Sequence, residues 1–155
     1  MKYRKLAFGV IAFVAVCMLQ SFIIVEVKDA KIRFSDLQWR FICQEAEDRK
    51  KLIFVYISAD YCGTCRRMEP NMKSNKLGIY YNKNFVNTRF DAQDVVQHER
   101  ATAWGVTSVP TMVFLNQKRE VIHVANGYRD PAGLLMEARI AVDKANESNL
   151  ANSRN

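Results

Sequence analysis

The stretch "SADYCGTCRRMEP", residues 58–70, decides how this chain is read. Two of its four cysteines, Cys62 and Cys65, stand two residues apart there, with Arg66 and Arg67 directly behind. Such a pair can be a redox couple, half of a zinc site, a haem anchor or a structural disulfide. A haem anchor needs a histidine at residue 66, which is arginine. A zinc site needs further Cys or His ligands at local spacing. Cys17, Cys43, His98 and His123 are scattered singly along the chain, so metal binding is not expected.

Just before the pair, "KLIFVYIS" (51–58) is a continuous apolar run rich in β-branched and aromatic residues. It reads as a strand buried on both faces. A helix is expected to begin near Cys62, and Pro70 to kink or end it. Cys62 then sits where unpaired N–H groups and the helix dipole favour an anion, which lowers a thiol pKa and raises the attacking fraction. Cys65 lies one helical turn further, placed to resolve a mixed disulfide formed at Cys62.

Working outward, "FSDLQWRFICQEAEDRKK" (34–51) reads as a helix capped by Ser35, with Leu37, Phe41 and Ile42 on its inner face. "NFVNTRFDA" (84–92), "TMVFL" (111–115) and "EVIHVANG" (120–127) read as strands, the last two joined by a turn. "DVVQHERATAWG" (94–105) reads as a helix closed by Gly105, and "DPAGLLMEARIAVDK" (130–144) as a last helix. The alternation implies one mixed α/β domain over residues 31–145 with a right-handed parallel crossover. Residues 146–155 are polar and are expected to be a disordered tail.

The N-terminus is separate in character. A basic head, "MKYRK", precedes "LAFGVIAFVAVCMLQSFIIVEV" (6–27), interrupted only by Gln20, Ser21 and Glu26. As a helix this run would extend about 33 Å at roughly 1.5 Å per residue, enough to cross a bilayer core. Residues 1–30 are therefore read as a signal peptide or signal anchor, either retained, cleaved or lipidated at Cys17. Basic residues flank the span on both sides (Lys2, Arg4 and Lys5; Lys28, Lys31 and Arg33), so the charge rule alone does not orient it. The form of a secretory signal favours export of the domain that follows. The net charge of +7 includes that head, and no dense basic block follows, so nucleic acid is not expected as a partner.

These features together resemble the thioredoxin superfamily. "FVYISADYCGTCRRME" is similar to its strand, C-x-x-C and helix signature. "WGVTSVPTMVFL", about 45 residues later, is similar to its cis-proline segment, and "NGYRD" to the glycine after the last strand. Within the superfamily the chain looks most like membrane-tethered bacterial proteins, including the exported C-terminal domain of the disulfide reductase DsbD. The resemblance implies a thioredoxin-like fold and a redox-active disulfide exchanging with protein thiols, without a cofactor. It places the domain on the periplasmic side of the inner membrane, exchanging electrons with a membrane donor or acceptor. Cys62 and Cys65 would be catalytic. Pro110 would be cis, the Val109 backbone would pair with an extended substrate, and Tyr61, Val109, Pro110 and Gly127 would rim the sulfurs. Family members carry a buried acid six residues before the first cysteine; Tyr56 stands there, leaving Glu69 as a candidate for proton transfer. A rival reading from another class is a binding or chaperone module on the same fold with incidental cysteines. A reductase dedicated to cytochrome maturation is a third.

Overall fold

The computed structural model describes residues 30–152. The apolar segment read as a signal or anchor lies outside the described residues up to position 29. Among the described residues no helix is long and apolar enough to cross a membrane.

The elements run β1 (Phe34–Ser35), α1 (Trp39–Asp48), β2 (Leu52–Ser58), α2 (Gly63–Met68), a 3₁₀ turn (Glu69–Lys73) and α3 (Asn75–Asn84). Then follow β3 (Phe85–Asp91), α4 (Val95–Ala103), β4 (Thr111–Leu115), β5 (Val121–Asn126) and α5 (Pro131–Asn152). The five strands form one sheet in the order β1-β3-β2-β4-β5. β2 pairs in parallel with β3 and antiparallel with β4, and β4 pairs antiparallel with β5. This is the mixed sheet that the sequence pattern implies.

Strand β2 is central, which accounts for its unbroken apolar run: Leu52 to Ile57 are all buried. Because side chains alternate across a sheet, its residues divide between two cores. Leu52, Phe54 and Tyr56 pack with Met68, Met72, Leu77, Tyr81, Leu134 and Ala138, which belong to α2, the 3₁₀ turn, α3 and α5. Ile53, Val55 and Ile57 pack with Ile42, Cys43, Ala46 and Ala101 from α1 and α4. Cys43 is thus a small apolar core residue, and burial pushes its thiol pKa up.

Four differences from the sequence reading have physical causes. Ser35 is a strand residue, not a helix cap; α1 starts at Trp39 after Gln38. The inner face of α1 is Ile42, Cys43 and Ala46, with Trp39 edge-on to Phe90 and tilted against Trp104, while Leu37 and Phe41 are 51% and 41% exposed. The helix α3 was not expected: its sequence has a glycine at its centre and weak periodicity. Tertiary contacts hold it, with Leu77 and Tyr81 buried in the core and the Tyr81 hydroxyl donating to the Leu134 carbonyl at 2.8 Å. Finally, α5 runs through the boundary drawn at residue 145 and continues to Asn152.

Candidate active site

Cys62 sits at the C-terminal end of the central strand, one short loop beyond Ser58, and is the N-cap of α2. Its Sγ accepts a hydrogen bond from the Cys65 backbone N–H at 3.0 Å. The two cysteines form a disulfide of 2.09 Å, with their Cα atoms 5.2 Å apart. Both are nearly enclosed, Cys62 at 7% and Cys65 at 2% exposure. Ala59, Ala92 and Val109 pack around them. Tyr61 is 72% exposed beside the pair. The loop is held on both sides: the Asp60 N–H donates to Gln93 Oε1 at 3.0 Å, and Arg66 Nη1 donates to the Asp60 carbonyl at 2.6 Å. One role of Arg66 is therefore to close the loop, a contact the sequence did not suggest.

The peptide bond between Val109 and Pro110 is cis. The Pro110 carbonyl accepts from the Gly127 N–H at 2.8 Å, and Gly127 has φ +85°, a left-handed conformation open to glycine. Thr111, fully buried, donates its hydroxyl to the Ser108 carbonyl at 2.6 Å, fixing the turn before the proline. Beside Val109 lies a cavity of about 110 Å³ lined by Ile57, Tyr61, Ala92, His98, Ala101 and Val106, among others. The structure thus gathers Tyr61, Cys62, Cys65 and Val109, and joins Gly127 to Pro110. His98, on α4, is exposed and also lines this cavity.

Glu69 is set differently from the other expected residues. Its carboxylate accepts from Arg89 Nη1 at 2.9 Å, and Arg89 in turn lies over the rings of Phe34 (4.3 Å) and Tyr56 (5.6 Å). Tyr56 itself is fully buried, and its hydroxyl lies 3.5 Å from the Cys65 carbonyl oxygen. Burial, with Glu69 nearby, pushes the Tyr56 pKa up to about 12, so the phenol stays neutral at physiological pH.

Sequence reading also missed the bracket that ties the two halves of the site together. The Arg129 N–H donates to Met68 Sδ at 3.3 Å, and Asn71 Nδ2 donates to the Arg129 carbonyl at 3.0 Å and the Tyr128 hydroxyl at 3.1 Å. Residues 127–129 therefore grip the cysteine-bearing helix on one side and the proline on the other. Arg129 is fixed by Glu137, whose Oε1 accepts from its Nε at 2.8 Å while Oε2 lies 2.6 Å from His123 Nε2. Burial alone would raise the Glu137 pKa. The hydrogen bonds from His123 and Arg129 outweigh it and hold the carboxyl below its ordinary value. His123, on β5, is a member of this half-buried network. No sequence signal marked this network, because an isolated glutamate in a helix does not announce its partners.

A disulfide at a helix start, packed against the residue before a cis-proline on this sheet, defines a thiol–disulfide exchange site. The chain belongs to the thioredoxin family: the family model described as Thioredoxin matches residues 36–138. It is similar to the thioredoxin H-type of Picea mariana, 29% identical over 113 residues, covering 72% of this chain and 86% of that one. The thioredoxin H-type of Ricinus communis is 32% identical over 94 residues, covering 59% and 74%. Among solved structures, a proposed disulphide-isomerase of Bacteroides thetaiotaomicron superposes with a TM-score of 0.66 at 29% identity, covering 74% of this chain and 96% of that one. A DsbH oxidoreductase shares the fold, with a TM-score of 0.59 at 15% identity over 76% and 89% of the two chains.

Proposed function

We propose that this thioredoxin-fold oxidoreductase is a protein-disulfide reductase of the cell envelope, held at the membrane by residues 6–27. One observation carries the chemistry: the Cys62–Cys65 disulfide packs against Val109, directly before cis Pro110. In the reduced protein the Cys62 thiolate attacks a client disulfide. A Cys62–client bond forms, and one client sulfur leaves as a thiolate and takes up a proton. The Cys65 thiolate then attacks Cys62 Sγ, releasing the second client thiol and forming the Cys62–Cys65 disulfide. Two electrons pass from the protein to the client, and a membrane-bound dithiol donor restores the reduced pair.

Two features favour Cys62 as the attacking sulfur. The Cys65 N–H points at its Sγ and stabilises negative charge there. Cys65 is the more enclosed of the two. The exposed Tyr61 and the cavity beside Val109 offer an apolar rim to an extended client segment. The envelope location rests on the apolar N-terminal run, and the reducing direction on the resemblance to a tethered reductase domain.

The test is direct. Cys62→Ser should abolish turnover of a protein disulfide, whereas Cys65→Ser should accumulate mixed disulfides with clients. Full activity in Cys62→Ser would refute the mechanism. Labelling intact cells with a membrane-impermeant thiol reagent reports location and direction together. Envelope exposure with a mostly reduced pair is expected; a protected pair contradicts the location, and a mostly oxidised one the direction.

A further inference from the structure

From Pro70 to Asn84 the chain has Lys73, Lys76 and Lys83 and no carboxylate. All three lysines are exposed, and between the last two lies Ile79, 50% exposed on the same outward stripe of α3. On the neighbouring α5, Met136 is 56% exposed and Arg139 is exposed, with Lys76, Leu77, Leu135, Met136 and Arg139 lining one groove between the helices. Asp143 lies beside Arg139 and Tyr80 on this side, and α5 also carries the exposed Glu147 and the inward-facing Glu137. On the opposite layer α1 and α4 carry Glu45, Glu47, Asp48 and Glu99 with Arg40 and Arg100, and Arg49, Lys50 and Lys51 follow α1 directly.

The chain also arrives on the α3 side. Ala30 lies hard against α3, where a Cβ at Gly78 would run into its carbonyl group. Residues 31–33 are pinned there: the Ile32 N–H donates to the Met72 carbonyl at 3.2 Å, and the Asn82 side chain bonds the Lys31 carbonyl and the Arg33 N–H, both at 2.9 Å. Only Lys28 and Asp29 separate Ala30 from the apolar run of residues 6–27. Two extended residues reach about 7 Å.

We propose that the α3–α5 face is a docking surface for the headgroup layer of an anionic phospholipid bilayer. The proposal rests on the anchoring reading above. A span ending at residue 27 leaves too short a tether for free tumbling, and the face beside its attachment point is the lysine-bearing one. Lys73, Lys76, Lys83 and Arg139 pair with lipid phosphates, while Ile79 and Met136 enter the interfacial layer between them. The α1–α4 layer is turned away.

The experiment uses the full chain reconstituted in vesicles of phosphatidylcholine with about one-third phosphatidylglycerol, or of phosphatidylcholine alone. A photoreactive benzoylphenylalanine replaces Ile79 in one sample and the still more exposed Val96, on α4, in another. Lipid adducts are counted by mass spectrometry after flotation. Lipid capture at residue 79 should exceed that at residue 96 by roughly tenfold in the anionic vesicles. It should fall at least fivefold in the Lys76→Glu/Arg139→Glu variant, since each base near such a surface contributes about a fivefold factor. Equal capture at both positions overturns the docking, as does capture at residue 79 that ignores headgroup charge and charge reversal. Adducts between two copies of the chain instead of with lipid also overturn it. A chain that fails to float with vesicles overturns the anchoring and the docking with it; a chain that floats without lipid capture at residue 79 overturns the docking alone. Both charge reversals are at exposed positions, and an unchanged melting temperature confirms that the variant is folded.

Discussion

Tyr56 stands behind Cys65 with its side chain enclosed and its hydroxyl 3.5 Å from the Cys65 carbonyl oxygen. That distance is long for an O–H···O bond, and the phenol ionises only at about 12. Tyr56 is therefore a packing residue that can neither hold a charge near the sulfurs nor accept a proton from Cys65 at neutral pH. Tyr56→Phe should change the rate of disulfide exchange by less than about twofold, because a long bond of this kind contributes well under 1 kcal/mol. Stopped-flow kinetics with a protein disulfide check this, and a tenfold loss would show that the hydroxyl takes part. Gly78 is a second residue whose side chain, or lack of one, decides a contact. Gly78→Ala places a methyl into the Ala30 backbone, so either the segment 30–33 lifts or α3 shifts. We expect a lower melting temperature and faster hydrogen exchange at the Ile32 amide; an unchanged exchange rate would contradict that packing.

At the scale of elements, the Glu137 network gives the clearest prediction. Its carboxyl is held below the ordinary value of 4.5 in the folded state, so the folded chain binds fewer protons than the unfolded one across that window. The stabilisation is complete above the unfolded value and disappears as pH falls through the lower native value. Denaturation curves against pH should show this acid limb in the wild type and a flatter one in Glu137→Gln. Glu137→Ala, which leaves His123 and Arg129 without their acceptor, should cost about 2–4 kcal/mol. Because Arg129 holds the 127–129 bracket, Arg129→Met should slow exchange with a protein disulfide more than exchange with a small aromatic disulfide. An equal slowing would mean that the bracket does not shape the client groove. The network was not legible in the sequence, since His123, Arg129 and Glu137 lie on β5, the loop and α5 and meet only in the fold. The strand β2, the C-x-x-C helix, the hairpin β4–β5 and the proline before β4 were legible, because each carries a local signal: unbroken apolarity, spaced cysteines, a polar turn, an imide. Helix α1 was legible as a helix but not in phase. Its cap was sought at Ser35, but Gln38, three residues on, holds that place; Ile42 faces inward as expected, with Trp39 and Cys43, while Leu37 and Phe41 are exposed. Helix α3 carries no such local signal around Gly78, and the two residues of β1 are too few to show a period.

For the whole molecule, α3 carries a lysine stripe without carboxylates on one side of the sheet, and the chain enters beside it. The catalytic reading depends less on that arrangement than on one sulfur. Cys62 Sγ receives the Cys65 backbone N–H and sits at the first turn of α2; both contacts favour a thiolate, against the burial that raises a thiol pKa. If those contacts poise it for attack, its thiol ionises more readily than free cysteine in the reduced protein. The measurement that tests this most directly is the rate of alkylation of Cys62 against pH in the reduced full chain, with Cys65→Ser as the assignment control. The account predicts half-maximal reactivity well below the free-cysteine value of about 8.5. A midpoint at or above that value would contradict it.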